Sequence, residues 1–220
     1  MKNQVIPKEI IDIVETLEKA GFEAFLIGGC TRDILLGKEP KDWDITTNAI
    51  PEQITPLFPK TFYENSYGTV GVVNEETKNE NLKIVEVTPY RLESSYTDYR
   101  HPDTVKFSKS IEDDLKRRDF TINAIAVNLS KGAIKDIVDL FDGLKDIKDK
   151  TVKAFGNPND RFKEDALRMI RAVRLATELG FTINIDTEKA ILSHANLLGE
   201  ISIERILDEF IRIIMSNNPK

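Results

Sequence analysis

The stretch FEAFLIGGCTRDILLG occupies residues 22–37 and decides the predicted fold. Its first six residues read as a short buried strand, the two glycines as a turn, and the rest as a short helix that ends at Gly37. Glycines between a strand and a helix let the backbone approach a phosphate closely, with helix N–H groups pointing at it. The forked donor of Arg32 suits a triphosphate. The stretch therefore predicts a phosphate-binding turn. Taken alone, it fits equally well a tight turn followed by a surface pair of Arg32 with Asp33.

Two aspartates follow on the next predicted strand. In Asp42-Trp43-Asp44 both carboxylates point to the same face, because side chains alternate along a strand. Carboxylates that close repel each other unless a cation lies between them, and their hard oxygens suit Mg²⁺. Glu86, on the predicted strand Leu82–Thr88, supplies a third carboxylate, so that adjacent strands can hold two metal ions for in-line phosphoryl transfer. The alternative is that Asp-x-Asp is a common pattern that marks a solvated strand edge.

The pattern of the chain changes after about residue 150. Before that point, short β-branched runs are mixed with helical patterns, which indicates an α+β domain. After it, Arg161–Leu179, Thr187–Ala195 and Ser202–Met215 all read as helices. We therefore predict an α+β domain over residues 1–150 and an all-helical domain over residues 151–220. Three helices make a modest module, and we expect this second domain to be truncated.

The composition is that of an ordinary globular protein. Of the 220 residues, 40% are hydrophobic and 31% are charged. No apolar run approaches the roughly 20 residues that a membrane span needs, and the single cysteine, Cys30, fits a reducing cytoplasm. The net charge of −6 argues against a nucleic-acid coat protein but allows an enzyme that holds RNA in a local basic groove. We therefore expect a cytoplasmic protein without a membrane segment, and the sequence indicates no protein partner.

Five motifs occur along the chain in a characteristic order. They are GGCTRDILLG with DWDITT (residues 28–37 and 42–47), EVTPYR (86–91), DLKRRDFTINA (114–124), EDALRMIRAVR (164–174) and SIER (202–205). Together they resemble the signature of bacterial-type (class II) tRNA nucleotidyltransferases and of their close relatives, the bacterial poly(A) polymerases. The resemblance covers residues 22–210. It implies a polymerase-β-like nucleotidyltransferase head, built from a mixed sheet with helices, followed by a helical neck.

The resemblance also implies an activity and a set of site residues. Members add CCA to the 3′ end of tRNA, so tRNA, CTP and ATP are the expected partners and Mg²⁺ the expected cofactor. Asp42 and Asp44 are implied as ligands of the catalytic Mg²⁺ ions, with Glu86 assisting. Members normally continue into body and tail domains. The implied nucleotide-binding residues are Gly29, Arg32, Arg118, Asp165, Arg168, Arg171 and Arg174.

The motif around Asp165 and Arg168 suggests how a protein selects cytosine and adenine without a template. Side chains three apart on a helix lie side by side. Asp accepts and Arg donates hydrogen bonds, which matches the amino group and ring nitrogen that both bases present. Uracil and guanine reverse this pattern and would leave buried groups unpaired. The alternative is a surface helix laced with salt bridges, in which Glu164, Arg171 and Arg174 take part.

The sequence leaves other functions open. A-adding enzymes and bacterial poly(A) polymerases share every motif, whereas a non-catalytic nucleotide- or RNA-binding module would not need the three carboxylates. An antibiotic-modifying nucleotidyltransferase would share the head fold but not the Asp165–Arg168 motif. In the resembled family the polar segment Arg91–Asp103 is needed for the final A, and its full length favours complete CCA or A addition over CC addition. Cys30-Thr31 departs from the family pattern without an expected loss of activity, and Pro89 is expected to stiffen the chain after Glu86.

Overall fold

The computed structural model describes residues 6–63, 67–93 and 104–216. Its helices are α1 (Lys8–Lys19), α2 (Gly29–Leu35), α3 (Pro51–Ile54), α4 (Ile111–Lys116), α5 (Gly143–Lys148), α6 (Pro158–Glu164), α7 (Leu167–Leu179), α8 (Ile185–His194) and α9 (Ile203–Ile214). Its strands are β1 (Ala24–Ile27), β2 (Asp44–Thr47), β3 (Thr61–Tyr63), β4 (Val70–Val73), β5 (Ile84–Pro89), β6 (Arg91–Glu93), β7 (Val105–Phe107), β8 (Ile125–Ser130), β9 (Ala133–Asp139), β10 (Thr151–Val152) and β11 (Thr182–Ile183).

The described residues form two compact units. The first contains the chain up to Leu92 together with Lys106–Arg117 and Asn123–Leu140. The second includes Arg118–Ile122 and the chain from Phe141 onward. Because the chain passes from one unit to the other more than once, a single division at residue 150 stays a prediction.

A seven-stranded mixed sheet organises the first unit. Its strand order is β3-β4-β5-β2-β1-β8-β9. Neighbouring strands are antiparallel except β2 and β5, which are parallel. The predicted α+β fold with a mixed sheet is confirmed, but the two edge strands, β3 and β9, were not predicted. Most of their residues are exposed or only half-buried, so they lack the apolar alternation by which a strand is recognised in a sequence.

The core of the first unit lies between α1 and one face of this sheet. Spaced three or four apart, the apolar residues of α1 form one buried stripe: Ile10, Ile13, Val14 and Leu17. In β5, Val85 and Val87 are buried in the same core, whereas Ile84 and Glu86 are exposed. Buried and exposed residues therefore alternate along this strand, and the face that carries Glu86 is open.

Helices dominate the second unit, but it is not all-helical as predicted. β10 and β11 form a two-stranded parallel sheet, in which Thr151 is opposite Thr182 and Val152 is opposite Ile183. Two residues per strand leave no periodic pattern, which is why the sequence did not reveal the pairing. Within the described parts of the chain, no helix is both long and apolar enough to cross a membrane.

Candidate active site

Two carboxylates of the first unit are neighbours across parallel strands. Asp44 is the first residue of β2 and pairs in register with Glu86 of β5. Asp44 is half-buried and Glu86 is exposed. Asp42 is exposed and precedes the strand instead of lying within it, while Trp43 is buried. The prediction that Asp44 and Glu86 lie on adjacent strands is confirmed.

The predicted Gly-Gly turn joins β1 to α2. Gly28 precedes the helix with φ 78° and ψ −137°, a backbone conformation that favours glycine, and Gly29 is the first residue of the helix. Leu26 of β1 pairs with Ile45 of β2, so the end of β1 lies beside Asp44. The turn and the carboxylate pair therefore occupy adjacent positions on the sheet.

The thiol of Cys30 connects the turn to the carboxylate strand. It is buried, and its Sγ lies 3.1 Å from the Ile27 carbonyl oxygen and 3.6 Å from that of Asp44. Burial, and after it the negative charge of Asp44, raises the pKa of the Cys30 thiol from 9.0 to about 12. A thiol in this environment stays protonated at neutral pH, so Cys30 acts as a small packing group and not as a nucleophile.

Arg32 is held beside the Gly-Gly turn. Its Nη2 lies 3.6 Å from the position that a Cβ on Gly29 would occupy. Nη1 donates to Asn123 Oδ1 at 2.9 Å, and Nε and Nη2 donate to Asp33 Oδ1 at 2.9 and 2.8 Å. Because Arg32 is only 9% exposed, its pair with Asp33 is not the surface pair of the alternative interpretation. These contacts fix a guanidinium where a phosphate would approach the glycines.

Asp165 does not share a helix with Arg168, and that part of the prediction is wrong. Asp165 ends α6 with an extended backbone, φ −141° and ψ 107°. Its Oδ1 accepts a hydrogen bond from the Leu167 N–H at 3.1 Å, and its Oδ2 lies 3.4 Å from Nη2 of Arg205 on α9. An aspartate that satisfies a backbone N–H at a helix start favours a break over a continuous helix. The predicted helix Arg161–Leu179 is therefore two helices.

Arg168 lies in the first turn of α7 and is 7% exposed. Its Nη1 donates to Glu164 Oε2 at 2.5 Å and to the Arg161 carbonyl oxygen at 3.2 Å. The side chain is thus tied to the end of α6, across the break that Asp165 makes. Both members of the predicted base-reading pair have protein partners, but they are not hydrogen-bond partners of each other in the contacts described above.

An ion pair connects α7 to the sequence motif DLKRRDFTINA at residues 114–124. Arg171 Nη2 lies 2.8 Å from Asp119 Oδ2, and the Asp119 side chain is only 9% exposed. Arg118, the preceding residue, is half-buried and belongs to the same unit. The structure therefore brings the motif that carries Arg118 together with the helix that carries Arg171.

Arg174, unlike Arg168 and Arg171, forms ion pairs with two glutamates, one on its own helix and one on α9. Its Nη1 donates to Glu178 of the same helix at 2.7 Å, and its Nε donates to Glu209 of α9. The side chains of Arg174 and Glu209 are 11% and 14% exposed, respectively. This arginine joins α7 to α9, which the spacing of charges along α7 alone did not reveal.

The carboxylates fit a divalent cation by their chemistry, because Asp42, Asp44 and Glu86 offer hard oxygen donors. Across residues 6–63, 67–93 and 104–216, no group of three His, Cys, Asp or Glu side chains is close enough to hold a metal ion by itself. Mg²⁺ is usually held by one or two carboxylates, with substrate phosphates completing its shell. The arrangement therefore suits a cation that is bound together with a nucleotide.

Comparison with known proteins relates this geometry to a family. Residues 24–153 match the family described as Poly A polymerase head domain. The chain belongs to this family. Residues 180–220 match a second family, described as Probable RNA and SrmB- binding site of polymerase A. The resemblance drawn from the five sequence motifs is thereby confirmed.

Curated relatives support the assignment to this family. The chain is 47% identical over 214 residues to the CCA-adding enzyme of Ligilactobacillus salivarius, which covers 97% of this chain and 50% of the relative. It is 46% identical over 209 residues to the CCA-adding enzyme of Levilactobacillus brevis, covering 94% of this chain and 50% of the relative. The chain thus spans about half the length of the curated relatives it matches.

A solved structure extends the likeness to three dimensions. The Bacillus stearothermophilus CCA-adding enzyme in complex with CTP superposes with a TM-score of 0.80 at 41% sequence identity. The match covers 93% of this chain and 47% of that one. The predicted polymerase-β-like nucleotidyltransferase head is confirmed, and the part that follows it is helical apart from the short pair β10–β11.

Several residues around the candidate site were not singled out from the sequence. Two of them, Asn123 and Asp119, lie inside a motif that the sequence displays, but their partners Arg32 and Arg171 are distant in the chain. Asn123 is 91 positions from Arg32, so only the folded chain reveals the contact. The missed residues are Asn123, Asp119, Arg205 and Glu209.

The predicted functional segment Arg91–Asp103 lies, from residue 94 on, outside the described residues. Its first three residues form β6, which pairs with β7. Before it, β5 continues through Pro89, which is opposite Thr47 in β2, and the Tyr90 N–H then donates to the Thr47 carbonyl oxygen at 2.7 Å. Pro89 therefore does not interrupt the pairing that positions Glu86.

Proposed function

We propose that this chain is the catalytic part of a template-independent nucleotidyltransferase that adds CCA to the 3′ end of tRNA from CTP and ATP. The observation that carries the proposal is the register of Asp44 with Glu86 beside the Gly28–Gly29 turn, in a member of the poly A polymerase head domain family. The names of the relatives, CCA-adding enzymes at 46% and 47% identity, support the same activity. In this proposal the first unit is the catalytic head and the second the nucleotide-selecting neck.

The carboxylates are the proposed reaction centre. Asp42 and Asp44 are the proposed ligands of two Mg²⁺ ions, with Glu86 assisting. Bound metals of this kind activate an attacking hydroxyl and neutralise charge on the leaving pyrophosphate. The protein contributes position: the β2–β5 register fixes Asp44 and Glu86 on neighbouring strands, so the acceptor 3′-hydroxyl and the α-phosphate can be held in line.

The triphosphate is assigned to the Gly-Gly turn. Gly29 begins α2, where backbone N–H groups point towards an anion and no side chain blocks the approach. Arg32 adds a guanidinium that is already fixed by Asp33 and Asn123, so little conformational freedom is lost when a phosphate binds. We therefore assign Gly29 and Arg32 to the phosphates of the incoming nucleotide.

The second unit is assigned to the sugar and base of the nucleotide. Arg118 and Arg171, which belong to motifs joined by the Arg171–Asp119 pair, are the proposed contacts to sugar and phosphates. Asp165 and Arg168 are the proposed base readers. Since Asp165 and Arg168 already bond to protein groups, reading a base involves exchanging some of these partners. Arg174, the remaining predicted nucleotide residue, contributes by fixing α7 against α9.

A second candidate function is addition of A alone, by an A-adding enzyme or a poly(A) polymerase. The description of the matching family, Poly A polymerase head domain, supports A addition as a second candidate function. The two candidates differ in the use of CTP, not in any carboxylate or glycine of the first unit. For either function we propose a cytoplasmic location, because a chain with one cysteine carries no internal disulfide framework.

Nucleotide incorporation tests the proposal. The chain is incubated with Mg²⁺ and tRNAs that end before the first C, after CC, or after CCA. CTP, ATP, GTP and UTP are supplied singly, and then CTP with ATP. We expect C, C and A to be added in order, addition to stop after A, and GTP and UTP to be refused. Use of ATP alone would instead assign the chain to A addition. If CTP and ATP are neither incorporated nor bound in preference to GTP and UTP, the proposal is wrong.

A further inference from the structure

An exposed aromatic ring lies in the same row of residues as the candidate carboxylates. Phe62 of β3 is opposite Gly71 of β4, Gly71 is opposite Glu86 of β5, and Glu86 is opposite Asp44 of β2. Directly opposed residues project to the same face of a sheet. The row therefore carries an aromatic ring at its β3 end and two carboxylates further in, on one face.

The ring of Phe62 covers Gly71. A Cβ added to Gly71 would lie 2.4 Å from Phe62 Cζ and 2.6 Å from Cε1, so the ring occupies the space that any other residue at position 71 would fill. Neighbouring strands are about 4.8 Å apart, which places the ring one strand spacing from Glu86. Phe62 is nevertheless 40% exposed. Its contact with Gly71 thus leaves a substantial part of the side chain open to a ligand that binds on the face of the sheet that carries the carboxylates.

The order of strands in the sheet indicates which of the two substrates, the RNA acceptor or the incoming nucleotide, lies over Phe62. The Gly28–Gly29 turn lies on the β1 side of Asp44, and Phe62 lies on the opposite side, beyond β5 and β4. In an in-line phosphoryl transfer the attacking and leaving oxygens lie on opposite sides of the phosphorus. If pyrophosphate leaves towards the Gly-Gly turn, as the proposed function assigns it, the attacking 3′-hydroxyl comes from the side of β5 and β4. The RNA acceptor, not the incoming nucleotide, then passes over Phe62.

We propose that Phe62 binds the RNA acceptor by stacking on a base at its 3′ end. The proposal rests on the proposed function for its direction of attack. Every base offers a flat face to an aromatic ring, so such a contact does not depend on sequence. That property suits an acceptor end whose last base changes after each addition. Phe62 is in this view a substrate-binding residue that places the 3′-hydroxyl near Glu86.

The substitution Phe62→Leu tests the contact, because it keeps an apolar side chain over Gly71 and removes the ring. Tyr63→Leu is the matched control, since Tyr63 is the next residue of β3, points to the opposite face and is 56% exposed. We expect Phe62→Leu to raise the KM for the tRNA acceptor about tenfold, the size expected for loss of one base–aromatic stack, with the KM for CTP unchanged. Tyr63→Leu should change neither value. An unchanged acceptor KM, or an increase only in the KM for CTP, would overturn the proposal.

Fluorescence separates this inference from the proposed function. The native Trp43 is buried, at 5% exposure, so Phe62→Trp places an additional, exposed fluorophore at the proposed contact, and Tyr63→Trp places one on the opposite face. RNA ending in CC should quench the emission of Phe62→Trp but not that of Tyr63→Trp, and CTP alone should quench neither. If the wild-type chain neither incorporates CTP and ATP nor binds them in preference to GTP and UTP, the proposed function fails, and quenching by RNA then decides the Phe62 contact by itself. Equal quenching of both variants, or of neither, refutes it.

Discussion

Asp44 stands at the start of β2, opposite Glu86 and beside the Gly28–Gly29 turn. Replacing it with Asn retains the shape of the side chain and removes its charge. A metal centre supplies several kcal/mol of transition-state stabilisation, so we expect Asp44→Asn to lower the rate of CTP incorporation by at least about 100-fold. Single-turnover extension of a tRNA that lacks CCA measures this rate.

The matched control for that substitution is Asp136→Asn. Asp136 lies on the edge strand β9, and its side chain is 64% exposed, so its loss should leave both incorporation and melting temperature unchanged. If Asp44→Asn incorporates CTP as fast as Asp136→Asn, Asp44 is not part of the reaction centre.

Cys30 gives a prediction that depends on pH. The pKa of its thiol is raised from 9.0 to about 12 by burial, so between these values the unfolded chain carries a thiolate and the folded chain a thiol. The unfolded state binds fewer protons there, and the contribution of Cys30 to stability is present below pH 9.0 and lost as the pH rises towards 12. We expect iodoacetamide to label the denatured chain faster as the pH passes 9.0, while the native chain stays unlabelled. Rapid labelling of the native chain would show that the thiol is accessible.

On the scale of elements, the contact between α7 and α9 depends on a nearly buried charge pair. Arg174→Gln removes the partner of Glu209, whose side chain is 14% exposed. A buried carboxylate that loses its partner costs about 1–3 kcal/mol, so we expect the free energy of unfolding to fall by that amount. Urea unfolding followed by circular dichroism measures it.

Arg212→Gln is the control for this helix pair, because Arg212 is exposed on α9. Its substitution should leave the free energy of unfolding within about 0.5 kcal/mol of the wild type. Equal stability of the Arg174 and Arg212 variants would show that the pair with Glu209 does not hold α7 to α9. In that case, Arg174 would need a direct role in nucleotide binding to remain a site residue.

For the molecule as a whole, selective binding should appear as selective stabilisation. A ligand present at about 100 times its Kd stabilises the folded state by about 2.7 kcal/mol. For a chain of this size that corresponds to a rise in Tm of about 5–10 °C. We expect CTP and ATP, each with Mg²⁺, to raise Tm by this amount, and GTP and UTP to have no effect. Equal shifts with all four nucleotides would show that the chain binds triphosphates without reading the base.

Much of the first unit could be predicted from its sequence. The strand before Gly28, the short helix after it and the strand that carries Glu86 were all predicted from local sequence patterns, and the structure confirms them. The edge strands β3 and β9 could not be predicted, because most of their residues are exposed or only half-buried and show no apolar alternation. The helix break at Asp165 was not predicted either, because in a sequence a residue that caps one helix resembles an ordinary polar residue within a longer helix.

The sequence by itself indicated the α+β pattern, the carboxylates and glycines that are proposed to carry the chemistry, and the family, because these depend on residue type and local spacing. Only the tertiary structure decided which distant residues meet: Asp44 with Glu86, Arg32 with Asn123, Arg171 with Asp119, and Phe62 with Gly71. Strand order and register arise from packing of the whole sheet, and partners far apart in the chain leave no periodic trace in one sequence. The side from which the proposed acceptor would reach the carboxylates is therefore a property of the folded sheet.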